Sequence, residues 1–402
     1  MNFNLHPGIA LTAVTLLATP GGHAESPESA EFEDEAWQEW QAEFEELERE
    51  LKAWEHSVAA DPDYLQMLTV EAGLGYDDNV LLSAVDREGS AFLLTGLDYF
   101  LWSGARAEER NASLFLYGFN KRFLRDSRFS DERLATLNAR VTAETAPDWR
   151  VILPFDIVLF DQLADVSTRD VPLDPVRVRG GRISFQPGLS LQATEAAEWR
   201  GRVIARHGFL SQPLDDFREL GAGLSFDYSE DANTDLELDF SLVHRRYASR
   251  QALEADGEPI QGRRLEFLIP KAEGALKRSW GADQRWRSRT SGGFEINRDN
   301  GGGYFDFMRP FAAQRISYQS RAWGTELAAR ISRHSFSERT APGDGSGPRL
   351  RRNTVDLRWK GEYTVNSMLG LTASFNHERV ETNERDAGYR VNRIQAGVEV
   401  AF

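Results

Sequence analysis

Apolar and polar residues alternate with a period of two over most of the chain that follows Tyr64. Such alternation places one row of side chains on each face of a β-strand. The alternating segments are about ten residues long or longer, which is the length that a tilted strand needs to cross a bilayer. Sixteen segments follow this pattern: 66–76, 91–102, 112–123, 134–144, 149–160, 182–193, 198–209, 218–228, 234–247, 263–278, 284–297, 305–318, 322–335, 351–364, 369–379 and 391–402.

The connections between these segments alternate in length, which favours a membrane barrel over a soluble sandwich. Every second connection is a short turn, as at 145–148, whereas those between them are longer and polar, as at 161–181, 248–262 and 336–350. The connection at 103–111 is longer than this rule predicts. Outer-membrane barrels combine short periplasmic turns with longer external loops. The sequence therefore predicts an all-β fold for residues 64–402, an antiparallel transmembrane β-barrel of about 16 strands in the bacterial outer membrane.

The region before the barrel has a different composition. Residues 1–24 contain no Asp, Glu, Lys or Arg, and their short apolar stretch at 9–18 is followed by Gly22-His23-Ala24, which predicts a signal peptide. Residues 25–56 hold 13 acidic residues and two basic ones. The sequence predicts one acidic α-helix at 25–60, and an even number of strands places this helix in the periplasm.

Large apolar residues recur along this helix at alternating spacings of three and four, the a/d pattern of a coiled coil. They are Trp37, Trp40, Phe44, Leu47, Leu51, Trp54 and Val58. One interpretation is an amphipathic helix that lies on the rest of the protein. The other is a coiled coil that forms a homo-oligomer or docks a periplasmic partner, since large aromatic residues are costly to leave exposed.

Composition excludes several classes of protein. No cysteine occurs among the 402 residues, which excludes a disulfide scaffold, a thiolate metal site and a cysteine nucleophile. The net charge of -16, with dispersed bases, argues against nucleic-acid binding. No hydrolase or metal-ligand motif is present, so we expect neither an enzyme nor a cofactor or metal site. The run Asp299–Gly303 is interpreted as a flexible loop tip. The four histidines of the barrel are interpreted as interface and rim residues: His207, His244, His334 and His377.

Aromatic residues mark one end of the predicted barrel. Its seven tryptophans lie at or near strand ends that meet short turns, which predicts an aromatic girdle at the periplasmic interface. They are Trp102, Trp149, Trp199, Trp280, Trp286, Trp323 and Trp359. The final segment, QAGVEVAF, is also informative: Gln395, Gly397, Val400 and Phe402 resemble the C-terminal signal of bacterial outer-membrane proteins. This resemblance implies recognition by the barrel-assembly machinery and insertion among outer-membrane lipids.

The first predicted strand ends in the segment Gly75-Tyr76-Asp77-Asp78-Asn79-Val80. This segment resembles the one that opens many barrels of the polysaccharide-export and surface-lipoprotein-assembly type. Those families often carry helical repeats before the barrel, whereas this chain has a single predicted helix there. Because Asp and Asn readily cap turns, the segment is also interpreted as a loop closure.

If the apolar strand faces contact lipid, the opposite faces line the lumen, and sixteen strands are expected to leave an aqueous channel. Opposite charges across such a channel would select polar solutes. Arg285, Arg287 and Arg289 form the strongest candidate for an anion-facing stripe, because no acid interrupts them. The other charged residues assigned to the lumen are Arg200, Arg202, Arg206, Arg330, Arg358, Lys360, Arg393, Asp98, Asp156, Glu237, Asp239, Glu326, Asp356, Glu362 and Glu399.

The leading functional hypothesis is a passive channel for small polar or anionic solutes. The alternative is an export outlet for a polysaccharide or a surface protein, docked to periplasmic machinery through the tryptophan-rich helix. A third hypothesis is a structural or adhesin-like barrel with a plugged lumen. Conductance distinguishes the first hypothesis from the third.

Overall fold

The alternating segments form the wall of a barrel. The computed structural model describes residues 64–83, 87–104, 110–125, 131–164, 176–211, 214–231, 233–281, 284–341, 347–384 and 387–402. The predicted signal peptide (1–24) and the predicted helix (25–60) lie outside these residues, so both stay predictions. Within the described ranges, no helix is both long enough and apolar enough to span a membrane.

Seventeen strands are found in the described residues. They are β1 (Leu65–Asp77), β2 (Ser90–Gly104), β3 (Arg110–Phe123), β4 (Asp131–Ala146), β5 (Trp149–Ala164), β6 (Val176–Phe185), β7 (Gly188–Thr194), β8 (Ala197–Leu210), β9 (Phe217–Asp231), β10 (Thr234–Leu253), β11 (Pro259–Trp280), β12 (Trp286–Asp299), β13 (Phe307–Gln319), β14 (Trp323–Thr340), β15 (Arg349–Thr364), β16 (Leu369–Thr382) and β17 (Tyr389–Ala401).

Strands β6 and β7 are two parts of one wall strand. Both pair with β5 on one side and with β8 on the other. They are separated at Gln186-Pro187, where the proline has no N–H to donate to the ladder. The wall therefore contains sixteen strands, one for each segment predicted from the alternation.

The sheet closes on itself. Each of the sixteen wall strands pairs antiparallel with its neighbours in sequence, and β1 also pairs antiparallel with β17. The predicted all-β fold, a closed antiparallel barrel of sixteen strands, is confirmed. Several strands extend beyond the apolar segments, so that the connection predicted at 248–262 spans only 254–258, between β10 and β11. Backbone pairing continues there because a ladder above the membrane needs no apolar face.

The outside of the barrel has the surface of a membrane protein. Large apolar side chains point outward and are exposed on every part of the wall, for example Leu97, Val203, Leu242 and Ile331. A soluble protein rarely exposes a continuous apolar surface of this extent, whereas a closed barrel can place such a band in lipid. The chain is a transmembrane β-barrel.

The short connections define one end of the barrel, here called the turn end, and the longer connections define the loop end. Six of the seven tryptophans predicted to form a girdle are exposed at the turn end: Trp149, Trp199, Trp280, Trp286, Trp323 and Trp359. Several of their rings pack against other aromatic rings; the ring centroids of Trp323 and Tyr363, for example, lie 4.7 Å apart. The prediction is wrong for Trp102, which points inward and is only 5% exposed, because its strand is apolar on both faces.

The Gly75–Val80 segment joins the first strand to the last at the loop end. Asp78 accepts hydrogen bonds from the backbone N and from Nδ2 of Asn392, both at 2.6 Å. Asn79 donates from Nδ2 to the carbonyl oxygen of Arg390 at 2.9 Å. A Cβ on Gly75 would lie 2.2 Å from Cζ of Phe92, so the close approach requires glycine. These contacts form a clasp across the β1–β17 seam.

We expect Asp78→Ala to weaken this clasp, because two hydrogen bonds to a carboxylate are lost and the Asn392 donors are left without their partner. The free energy of unfolding should fall by roughly 2 kcal/mol. The measurement is urea unfolding of the refolded barrel in lipid vesicles. Asp131→Ala is the matched control, because it removes a loop-end carboxylate whose ion-pair partner, Arg133, is largely exposed, and should cost less than about 1 kcal/mol. Equal losses would show that the seam contacts add nothing specific.

Candidate functional site in the lumen

Inward-facing residues of β4, β5 and β7 to β15 surround an atom-free space of about 1730 Å³ that is partly open to solvent. Its lining includes eight arginines and five carboxylates. The arginines are Arg140, Arg200, Arg202, Arg206, Arg289, Arg315, Arg330 and Arg358, and the carboxylates are Asp227, Glu237, Asp239, Glu273 and Asp356. Positive groups therefore outnumber negative ones around this cavity.

Hydrogen bonds and ion pairs hold the cavity arginines in place. Arg202 forms an ion pair with Asp239 at 2.7 Å and donates to Oγ of Ser225 at 2.7 Å. Its guanidinium lies across Gly223, where a Cβ would approach Cζ of Arg202 to 2.7 Å. Arg289 on β12 reaches across β11 to Glu237 on β10, at 2.8 Å. Arg202 and Arg289 still expose 20% and 25% of their side chains, so water and solutes can reach these guanidinium groups.

Acidic residues gather on the wall formed by β15, β17, β1 and β2. Glu71 lies directly opposite Glu399 across the β1–β17 pair, and its Oε1 accepts a hydrogen bond from Gln395 at 3.1 Å. Asp98 lies on the neighbouring strand, and Glu362 forms an ion pair with Lys360 at 2.6 Å. Arginines thus dominate one side of the lumen and carboxylates the other, an arrangement that produces an electric field across it.

The residues assigned to the lumen from sequence are distributed among these features. Eight of those predicted for selectivity line the cavity: Arg200, Arg202, Arg206, Arg289, Arg330, Arg358, Glu237 and Asp239. Asp98 and Lys360 belong to the acidic wall. Arg287 lies on β12 and Glu326 on β14, where it forms an ion pair with Arg315 at 3.6 Å. Arg285 precedes β12 and is exposed, so the structure does not bring Arg285, Arg287 and Arg289 into the cavity together.

Asp156 lies on β5, two residues beyond the cavity residue Pro154 in the direction of the loop end, and is 1% exposed. Its carboxylate accepts a hydrogen bond from Nδ2 of Asn138 at 2.5 Å.

Charged residues in the loop-end half of the lumen are buried in ion pairs. Lys121 is only 1% exposed and lies 3.0 Å from Glu132 and 3.5 Å from Asp77. Asp77 also accepts a hydrogen bond from Nη2 of Arg393 at 2.9 Å. Similar buried pairs join Arg245 to Glu219 at 2.6 Å and Arg309 to Glu295 at 3.0 Å. Of these residues only Arg393 was assigned to the lumen from sequence.

Apolar side chains fill the space between these ion pairs. Phe92, Phe119 and Phe123 form one inward-facing cluster, and Lys121 lies over the rings of Phe92 and Phe123. Further clusters on the other strands surround the same level. We call this level, with its buried ion pairs, the loop-end layer. The expectation of an aqueous channel along the whole lumen is wrong here, because large inward side chains occupy the room that sixteen strands leave.

The run Asp299–Gly303 is fixed rather than a flexible tip. Oδ1 of Asp299 accepts the N–H groups of Gly301 and Gly303 at 2.8 and 3.0 Å, and Oδ2 accepts that of Phe305 at 2.8 Å. Tyr304 and Phe305 then turn into the lumen and are 4% and 1% exposed. The loop between β12 and β13 is therefore part of the loop-end layer.

The four histidines do not form one group. His207, His244 and His377 contact Phe217, Glu266 and Asn392 respectively near the loop end. The rim interpretation is wrong for His334, which is fully buried in the lumen beside Phe307. Among the described residues, no cluster of three or more potential metal ligands occurs.

Comparison with known proteins finds solved structures that share little sequence identity with this chain. No family model and no curated protein matches the chain. OccAB4 of Acinetobacter baumannii is 9% identical, with 85% of this chain and 99% of that chain covered and a TM-score of 0.48. OccK8 (OprE) of Pseudomonas aeruginosa is 9% identical, covering 85% and 98%, with a TM-score of 0.46. A bacterial polysaccharide outer membrane secretin is 9% identical, covering 85% and 99%, with a TM-score of 0.43.

Proposed function

We propose that this barrel is an outer-membrane channel for small polar solutes, with a preference for anions. The observation that carries the proposal is the cavity in which eight arginines face five carboxylates. Partly exposed guanidinium groups in a low-dielectric barrel raise the local concentration of anions. The acidic wall opposite them would orient a solute that carries both charge and polarity.

The loop-end layer supports a gated channel rather than a permanently open one. A solute that reaches the cavity from the turn end meets buried ion pairs and packed aromatic rings beyond it. Passage therefore requires rearrangement of this layer. The loop that carries Tyr304 and Phe305 is the proposed moving element. Its hydrogen bonds to Asp299 lie outside the wall ladder, so breaking them would leave the strand pairing intact.

The test of anion preference is removal of charge from the cavity. Replacing Arg200, Arg202 and Arg289 with glutamine should lower the anion-to-cation permeability ratio severalfold, because three partly exposed positive charges are lost at one level. The measurement is the reversal potential of single channels in planar bilayers under a salt gradient.

Glu71, Asp98 and Glu399 offer the matched control of opposite sign. Their replacement with glutamine should move the reversal potential in the other direction. A wild-type channel that conducts, and whose reversal potential is unchanged in both variants, would refute a selectivity role for these charges. A wild type that never conducts would favour the plugged, structural hypothesis.

A further inference from the structure

Exposed arginines surround the outside of the barrel at the loop end. Six outward-facing arginines on the strands are among those that form no side-chain ion pair with any residue that the structure describes: Arg122, Arg218, Arg264, Arg333, Arg351 and Arg390. We call these six the arginine belt. Each is adjacent in sequence to a residue that is buried in the lumen; Arg218, for example, lies between the buried residues Phe217 and Glu219. Because successive side chains of a strand point to opposite faces, each of the six arginines points outward.

The belt lies directly above the apolar band. Arg218 on β9 is followed at the next outward position by Leu220, which is 64% exposed. On β11 the outward position level with Leu220 is Leu268, which is also exposed. This is the height of the lipid headgroups, at the end of the barrel whose longer connections face the cell exterior in outer-membrane barrels.

Like charges are paired across strands in this region. Arg218 stands directly opposite Arg246 on β10, and Arg390 stands directly opposite Arg379 on β16. Directly opposite residues have Cβ atoms only about 5 Å apart, and like charges there destabilise a sheet. A carboxylate contacts one arginine of each pair: Glu266 lies 3.2 Å from Arg246, and Glu381 forms an ion pair with Arg379. A second anion between Arg218 and Arg246 would relieve the remaining repulsion.

Composition and residue type both point to phosphate. The chain has a net charge of -16, so a positive belt is not a consequence of its overall charge. The belt consists of arginine alone, while the lysines of the described residues, Lys121, Lys271, Lys277 and Lys360, lie on lumen-facing positions. The guanidinium group binds phosphate through two parallel hydrogen bonds, which the ammonium group cannot do.

We propose that the arginine belt binds the phosphate groups of lipid headgroups in the outer leaflet, and that Arg218 and Arg246 together hold one such phosphate. The lipid then supplies the counter-charge for the six arginines of the belt, which form no ion pair with any described carboxylate. The site is independent of the lumen and of the solute that the channel carries. It also fixes the height and the orientation of the barrel in the membrane.

The experiment measures lipid binding by the detergent-solubilised full chain with native mass spectrometry. The probe is bisphosphorylated lipid A, compared with its fully dephosphorylated form, with phosphatidylcholine and with inorganic phosphate. We expect the bisphosphorylated lipid to bind most tightly. The double variant Arg218→Gln/Arg246→Gln should weaken its binding on the order of 30-fold, since each arginine near a membrane surface contributes about one kcal/mol toward anionic lipid.

The matched control is Arg278→Gln/Arg321→Gln, which removes two exposed arginines at the turn end and should leave binding unchanged. The variant Arg218→Lys/Arg246→Lys keeps the charge and the fold, and should show intermediate binding. If the control variant loses lipid binding to the same extent, the effect comes from the overall charge of the protein and not from the arginine belt. Equal binding of the dephosphorylated lipid, or of inorganic phosphate, would overturn the assignment to lipid phosphate.

Discussion

Replacing Tyr304 and Phe305 with serine is expected to raise the single-channel conductance severalfold. Both side chains are buried in the loop-end layer. Their ring centroids lie 5.1 Å apart, and the ring centroid of Phe305 lies 5.8 Å from that of Phe267. Serine removes two large rings from the loop-end layer, and water would enter the space because its walls also carry charged residues. The measurement is conductance in planar bilayers at fixed voltage.

The outward-facing pair Phe226 and Tyr228 provides a control of the same composition. Both rings lie in the turn-end girdle, and their replacement with serine removes the same apolar surface without touching the lumen. Conductance should stay at the wild-type level in this variant. If the Tyr304/Phe305 variant folds and conducts no better than the control, the loop between β12 and β13 is not the barrier.

Replacing Lys121 with methionine is expected to destabilise the barrel by roughly 3–5 kcal/mol, because a single partner is removed from a buried ion pair. The substitution leaves Asp77 and Glu132 buried with one positive charge fewer, although Arg393 still contacts Asp77. The free energy of unfolding in urea, measured on the refolded barrel in lipid vesicles, gives the magnitude.

Lys271→Met is the matched control for this substitution. Lys271 also lies on an inward-facing position and pairs with Glu273 at 3.2 Å, but the carboxylate is 23% exposed and can be hydrated. The cost should be about 1 kcal/mol. The double variant Lys121→Met/Glu132→Leu should regain part of the lost stability, since an apolar pair can replace a buried ion pair. Equal costs for both lysines would mean that the loop-end layer is wetter than its burial indicates.

The wall of the barrel could be predicted from the sequence because one physical rule governs it. Lipid on one side and polar lumen on the other impose alternation, and strands such as β12 and β15 follow it closely. The same rule placed Arg202, Glu237 and Arg289 in the lumen. Strand ends were less predictable, because polar residues above the membrane extend the ladder without any apolar signal.

The loop-end layer could not be predicted, because its residues break the alternation. Strands β2 and β3 are apolar on both faces, so Phe92 and Phe119 could not be assigned to the inside by pattern alone. The one signal for inward packing was that these strands are apolar on both faces. A strand that contacts lipid on one face needs an apolar inner face only when that face packs against other side chains. Partners such as Lys121 and Glu132 follow from the register of β3 and β4, which alternation does not specify.

The clasp at the β1–β17 seam bears on how the barrel is made. Its hydrogen bonds join residues 311 to 314 positions apart, whereas the other strand pairs join near neighbours in sequence. Contacts of such long range form late, because the entropy of closing the intervening chain must first be overcome by local pairing. Asp78 and Asn79 therefore find their partners only once the strands between have paired. A chain stalled during insertion would present these polar groups unsatisfied at an open edge, which distinguishes an unfinished barrel from a finished one.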